Sequence, residues 1–512
     1  MRDYSFNLAN IFGDHMVLQR SKPLTIWGEC YQAQVIRVLL DGREIASTEA
    51  AVGRWMVTLP AMAVRRNLTL QVLGENESYT FQDVAVGEVW VAGGQSNMEF
   101  LLDYDAEAEK VIPEADNSDI RFYDCPKIKF EGQEKEDDMS QYGFWRLLDP
   151  ANAPFYSAVG FYFANQLYIR YQVPIGIVGC NWGGTTAAAW MDADYLRDNE
   201  LLSVYVDEYE AGLKNLDLDQ YFQAEESQRK VMSLPPAKRF MNYIMKRTPR
   251  GVRRLFISIP VRRSINKSQQ LGPRSENRPG GLFHTMLEKI IPYTARGVIW
   301  YQGESDDPKA NFYARLFSSL IRCWRERWEE ALPFLFVQLA PYEHWLGERA
   351  QNFTILREQQ EMVSKTVPGT YMASIMDAGS KVDIHPKQKR PVGERLALLA
   401  RGKIYGEKIL CEAPEFADAV VESGTVVIKF KHTGEGLSLR GDHLKSLVLF
   451  SDGKKVRRPE ISVDRDSLRI RAKGIQTASE IEIHFAFENF AEVNLYNSAG
   501  LPAKPFRYKL ER

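Results

Sequence analysis

The chain has 512 residues, 45% of them hydrophobic and 26% charged, which is long enough for two to four domains and excludes a disordered or fibrous protein. A formal net charge of -2 argues against nucleic acid as the main partner, because a phosphate-binding surface carries a basic excess. The five cysteines (Cys30, Cys125, Cys180, Cys323 and Cys411) lie far apart without a CxxC, no apolar run reaches membrane-spanning length, and Met1-Arg2-Asp3-Tyr4-Ser5-Phe6-Asn7 lacks an apolar leader core, so the expectation is a soluble, cytoplasmic protein with reduced thiols and no membrane partner.

Residues 1–85 read as a β-sandwich-like module. Met16-Val17-Leu18, Leu24-Thr25-Ile26-Trp27, Val35 to Leu40, Trp55 to Leu59 and Leu68 to Val72 are short apolar or alternating runs, and Asp41-Gly42 and Leu73-Gly74-Glu75-Asn76 are turn chemistry. Trp27 and Trp55 are the expected core of this module.

From residue 86 to 405 strands alternate with helices. Candidate strands are 86–93, Ile175 to Gly179, Gly297 to Tyr301, Phe334 to Leu339 and Tyr371 to Met376; candidate helices are 155–172, 308–330, 353–366 and 388–404. Near-continuous hydrophobicity suits parallel strands covered on both faces. The alternation predicts an α/β domain built on a doubly wound parallel sheet, with function at the carboxyl ends of its strands. Gly94 to Ser96, Gly183-Gly184, Gln302 to Glu304 and Asp377 to His385 all follow predicted strands. An insertion at 195–275 is acidic and helical at first; its second part carries Lys238, Arg239, Lys246, Arg247, Arg250, Arg253 and Arg254. It reads as a solvated helical excursion, or alternatively as a collar that attracts an anionic saccharide. Residues 406–512 return to short strands divided by Gly434, Asp452-Gly453 and Gly474, a second β-sandwich-like module.

The chemistry centres on Val89-Trp90-Val91-Ala92-Gly93-Gly94-Gln95-Ser96-Asn97-Met98. A buried strand that stops at two glycines presents Ser96 on a tight turn. The α/β-hydrolase elbow needs a glycine two residues after its serine, and here that residue is Met98, so the turn belongs to another serine-hydrolase design. Taken alone, the stretch also reads as a loop in which Ser96 or Asn97 caps a helix. A serine hydroxyl needs a base to remove its proton, an orienting carboxylate and donors for the oxyanion. Of seven histidines, His385 is the strongest candidate: it follows a strand and a polar loop, and Pro386 suits the start of a helix from 388. Asp383 and Asp377 precede it. Gly183-Gly184 and Gln302 are candidate oxyanion donors, and each also has a plain structural reading as a turn or a buried amide. No pair of histidines stands at ligand spacing, so neither a metal nor an organic cofactor is expected.

These blocks taken together resemble the sialate O-acetylesterase branch of the SGNH (GDSL-like) carbohydrate esterases. Gly94-Gln95-Ser96-Asn97-Met98, Trp182-Gly183-Gly184-Thr185, Trp300-Tyr301-Gln302-Gly303-Glu304-Ser305 and Asp383-Ile384-His385-Pro386 occur in that order. Met16-Val17-Leu18-Gln19-Arg20 and the tail (Asn494-Leu495-Tyr496-Asn497, Gly500-Leu501-Pro502-Ala503) extend the likeness over nearly the whole chain. The resemblance implies a three-layer SGNH domain, Ser96 as nucleophile, His385 as base, and an oxyanion site from the Ser96 and Gly184 N–H groups with Gln302. Related enzymes place the acid three residues before the histidine, where this chain has Val382. Asp383 is preferred as the acid, with Asp377 and Glu304 as alternatives. The implied activity is removal of O-acetyl groups from a saccharide, either 9-O-acetylated sialic acid or plant oligosaccharides such as xylan, mannan or xyloglucan fragments. A non-catalytic carbohydrate-binding protein is the rival of another class, and a homo-oligomer is compatible with the sequence.

Overall fold

A computed structural model describes residues 5–247 and 271–511; Arg250, Arg253 and Arg254 of the basic stretch lie outside them. The chain is α/β, with a central mixed sheet and additional sheets, and divides into two compact units. The first comprises 5–247, 271–302 and 315–334, the second 303–314 and 335–511.

The first unit opens with β1 (Val17–Gln19), β2 (Leu24–Cys30), β3 (Gln34–Leu40), β4 (Arg43–Ala50), β5 (Gly53–Leu59) and β6 (Arg65–Leu73). β2 pairs with β5, and β3 lies between β4 and β6. Alternation of apolar and polar residues buries one face of these strands, with Trp27 and Trp55 inside as their context predicts. β7 (Ser78–Gly94) runs straight through residue 86. Its first half alternates in exposure and pairs antiparallel with β6, whereas everything from Val84 onward is buried. Here the change of sequence pattern marks a change of environment along one strand. At that change Glu88 is fully buried and takes hydrogen bonds from Arg20 (2.5 Å) and Arg296 (2.7 Å), which hold its carboxyl below the usual range against the opposing effect of burial.

Beyond it follow the one-turn helix α1 (Ser96–Glu99), β8 (Asn117–Asp124), β9 (Trp145–Leu148), α2 (Ala158–Tyr171) and β10 (Ile175–Asn181). The insertion forms α3 (Ser203–Lys214), α4 (Leu218–Ser233) and α5 (Pro235–Lys246); β11 (Gly297–Tyr301) and α6 (Tyr313–Trp328) complete the unit. The strand order is β11-β7-β10-β8-β9, parallel except for β9.

In the second unit, β12 (Phe334–Val337), the two-residue strands β13 (His344–Trp345) and β14 (Glu348–Arg349), α7 (Phe353–Thr366), β15 (Thr370–Ala373) and α8 (Arg390–Leu399) precede a β module. The helix after His385 begins at Arg390, with Pro391 in its first turn; Pro391, not Pro386, supplies the preset φ of a helix start. The module contains β16 (Glu415–Glu422), β17 (Thr425–Lys431), β18 (Ser438–Leu439), β19 (Leu447–Ser451), β20 (Lys454–Lys455), β21 (Glu460–Asp464), β22 (Ser467–Arg471), β23 (Glu480–Phe485), β24 (Leu495–Tyr496) and β25 (Phe506–Glu511). Two four-stranded sheets, β16-β17-β22-β21 and β20-β19-β23-β25, enclose Val426, Ile428, Leu468, Ile470, Ile481 and Ile483. Each sheet contributes every second residue to that core.

Candidate active site

In the first unit, register places the candidate loops. Gly94 lies opposite Asn181 of β10 and opposite Tyr301 of β11, so the three strands end at one level. Ser96, Gly183-Gly184 and Gln302 leave from those three ends. The main chains are also tied together, Gln95 N–H to the Tyr301 carbonyl (3.0 Å) and Trp182 N–H to the Gly94 carbonyl (3.1 Å). Such closeness requires glycine. Gly94 has φ +132°, and a β-carbon there would stand 2.2 Å from the Tyr301 carbonyl oxygen.

Ser96 is the first residue of α1 and half-buried; Gln95 is the N-cap, so neither Ser96 nor Asn97 caps the helix. Gly183 packs directly on it: a β-carbon at Gly183 would lie 3.2 Å from that of Ser96. Gly184 is exposed, has φ +76°, and has open space where a β-carbon would be.

The rest of the 181–186 loop is tied down residue by residue. Lys127 donates to the Asn181 carbonyl and to Asn181 Oδ1 (3.1 Å), and Asn181 Nδ2 donates to the Ala92 carbonyl (3.1 Å). Gly183 N–H donates to Glu99 Oε2 (2.6 Å). Asn277 Nδ2 donates to the Gly184 carbonyl (3.0 Å), while its Oδ1 accepts Thr186 N–H (2.8 Å). Gln302, fully buried, donates from Nε2 to the Thr185 carbonyl (3.1 Å), and Trp190 Nε1 donates to Thr185 Oγ1 (2.9 Å). Burial alone would depress the Lys127 ammonium, but the Glu99 and Asp124 carboxylates outweigh it and hold Lys127 above its ordinary range. Burial in turn pushes Asp124 up to about 6.

In the second unit, His385 is buried at the end of the 377–385 loop. That loop runs along residues 341–344, with Ser380 N–H on the Pro341 carbonyl (3.0 Å) and His344 N–H on the Lys381 carbonyl (3.1 Å). Trp345 packs edge-on to the imidazole, ring centroids 5.0 Å apart at 87°. Burial, then Lys389 and Lys387, push the imidazole well below its ordinary value, so it is neutral and able to accept a proton at neutral pH.

Asp383 is fully buried. Its Oδ1 accepts the main-chain N–H of His385 (2.9 Å) and its Oδ2 faces Lys387 Nζ (3.0 Å). Burial raises its carboxyl, opposed by Lys387 and the His385 N–H. Asp377 instead grips Arg395 through both oxygens (2.6 and 2.8 Å) and accepts the Tyr496 hydroxyl (3.2 Å). Glu304 is buried at the start of the segment that leads to Asp307, and Asp307 takes the N–H groups of Gln351 (2.8 Å) and Asn352 (2.6 Å) ahead of α7.

Glu99, Lys127, Asn277 and Trp345 were not singled out from the sequence. Only Glu99 left a signal there, since it stands three residues after Ser96 and so on the same helical face. Among the described residues no group of three or more His, Cys, Asp and Glu could hold a metal ion, and no helix is long and apolar enough to cross a membrane.

Residues 270–400 match the family model "carbohydrate esterase, sialic acid-specific acetylesterase". The chain is 28% identical to the sialate O-acetylesterase of Mus musculus, over 79% of this chain and 74% of that one. It is 26% identical to that of Homo sapiens, over 79% and 72%. A crystal structure of a carbohydrate acetylesterase from Xanthomonas citri aligns over 98% of this chain and 99% of that one, at 29% identity and a TM-score of 0.75. The chain resembles the sialate O-acetylesterase branch of the SGNH carbohydrate esterases. It is a carboxylic ester hydrolase.

Proposed function

We propose that this esterase removes O-acetyl groups from saccharides through an acyl-enzyme on Ser96, in a three-layer SGNH domain. His385 is the base that takes the Ser96 proton and later activates water. The Ser96 and Gly184 N–H groups, with Gln302 completing the set, bind the tetrahedral oxyanion. Asp383 orients His385, through the main-chain contact it makes beside the imidazole. The observation that carries the reading is the common register of Gly94, Asn181 and Tyr301, which brings the serine and glycine turns together with Gly183 against Ser96. Acetylated sialate is the proposed substrate, on the strength of the sialate O-acetylesterase relatives. The Xanthomonas citri structure is that of a carbohydrate acetylesterase, which leaves the sugar open, so acetylated plant oligosaccharides are the second reading.

The test is acetate release from p-nitrophenyl acetate and from a panel of acetylated sialate, xylo- and manno-oligosaccharides. Ser96→Ala and His385→Ala are expected to lose at least about a thousandfold in kcat. Variants that keep full activity would refute the catalytic assignment, and plant-sugar turnover equal to or above that on sialate would replace the sialate reading.

A further inference from the structure

We infer that Glu99 is the positioning residue of the oxyanion turn: its carboxylate holds the Gly183 peptide so that the next peptide, Gly184, presents its N–H beside Ser96. This rests on the assignment of Ser96 and Gly184 above. The carboxylate sits on the helix that carries the nucleophile, three residues on, and reaches back to the second strand's loop at 2.6 Å. One side chain therefore fixes the distance between the two parts of the site. A β-carbon at Gly183 would meet the Ser96 β-carbon at 3.2 Å and Glu99 Oε2 at 3.3 Å, so Gly183 lies close against both.

The anchor is itself anchored. Glu99 Oε1 stands 3.6 Å from Lys127 Nζ, and that ammonium is bound to Asn181 at the start of the same loop. The Lys127 side chain is 12% exposed and that of Glu99 37%, so Glu99 lines the more open side of the turn. With Asn277 on the Gly184 carbonyl and Gln302 on the Thr185 carbonyl, the peptides on both sides of the Gly184 N–H are fixed. A donor that must meet a developing oxyanion without reorganising needs such fixing. Because Glu99 acts on the geometry of the donor, its contribution is expected in kcat and not in KM.

Three variants separate this from the alternatives. Glu99→Gln keeps the length and one acceptor oxygen and should retain at least about a third of wild-type kcat on p-nitrophenyl acetate. Glu99→Asp keeps the charge but withdraws the acceptor by about one C–C bond, and Glu99→Ala removes it; both should lower kcat by about tenfold to a hundredfold with KM within about twofold. Thermal midpoints and labelling of Ser96 by a fluorophosphonate report folding and nucleophile integrity in the same samples. Wild-type or raised kcat in Glu99→Asp and Glu99→Ala overturns the proposal, as does a loss in Glu99→Gln that equals that of Glu99→Ala. Ser96→Ala, run alongside, keeps the two readings apart: if it remains active the nucleophile assignment has failed, and if it is dead while Glu99→Ala is fully active only the positioning role has.

Discussion

Replacing Gly94 by alanine tests how strictly the serine turn depends on close approach of main chains. The new β-carbon would stand 2.2 Å from the Tyr301 carbonyl oxygen and 3.0 Å from the Tyr301 nitrogen, at φ +132°. An ordinary carbon–oxygen contact is about 3.3 Å or more, so β7 and β11 must part by about 1 Å at their ends. The left-handed backbone adds about 1–2 kcal/mol and the overpacking about 1–3 kcal/mol, for an expected loss of about 2–5 kcal/mol. Gly184→Ala is the matched control: it shares a positive φ of +76°, but nothing lies within 4 Å of the added carbon, so only the conformational cost of about 1–2 kcal/mol applies. Chemical denaturation of the three proteins measures both losses. The same parting breaks the Gln95 N–H bond to Tyr301 and shifts Ser96, and a displacement near 1 Å costs about a hundredfold in turnover. A Gly94→Ala protein no less stable than Gly184→Ala, or one with wild-type kcat, would refute the reasoning.

The depressed imidazole of His385 sets the acid limb of the pH profile. Burial and the Lys389 and Lys387 charges keep it neutral well below pH 6.5, so kcat/KM on p-nitrophenyl acetate should stay level down to pH 6.5 and fall only beneath it; a limb above 6.5 counts against the assignment. The linked stability has the same sign, because the unfolded imidazole takes up its proton near 6.5 while the folded one stays neutral, so stability present above that pH is lost as pH falls. Arg357 is buried and donates to the carbonyls of Leu339 (2.9 Å), Ala340 (3.1 Å), Glu488 (2.8 Å) and Asn489 (2.7 Å). Arg357→Met strands those four acceptors and should cost on the order of 4 kcal/mol, measured by urea denaturation; a loss under about 1 kcal/mol would show that the acceptors find other donors. Asp377→Asn should lower stability by about 1–3 kcal/mol through its Arg395 pair while leaving kcat within about threefold at a permissive temperature, whereas Asp383→Asn should lower kcat by about a hundredfold. The reverse pattern in steady-state kinetics would make Asp377 the orienting acid.

What the sequence made legible follows from the range over which each signal acts. The helix expected over 353–366 is found as Phe353–Thr366, and the central strands 175–179 and 297–301 are present, because burial on both faces forces continuous hydrophobicity. The change of pattern near residue 86 was visible too, but its cause was not. β7 continues through it, and only the covering changes from one face to two. Strands of two residues, such as the one that brings Trp345 to His385, are too short to carry any periodicity.

The carboxylates were the least legible part of the site, for a physical reason. Asp377, Asp383 and Glu304 are equivalent on paper, since each follows a strand and precedes or accompanies a polar loop. Their roles are set by partners distant in sequence or by main-chain groups with no sequence signature: Arg395 and Tyr496 for Asp377, the His385 N–H for Asp383. The same holds for Arg357, and for the partner of Glu99, whose spacing from Ser96 shows only that the two share a helical face. On a helix a charged residue reads as solvent-facing, yet one is bound to a glycine N–H beside Ser96 and the other to four buried carbonyls. Charged side chains that satisfy main-chain groups are thus the ones that sequence patterning hides, and they are where substitutions in this esterase should separate folding from turnover most cleanly.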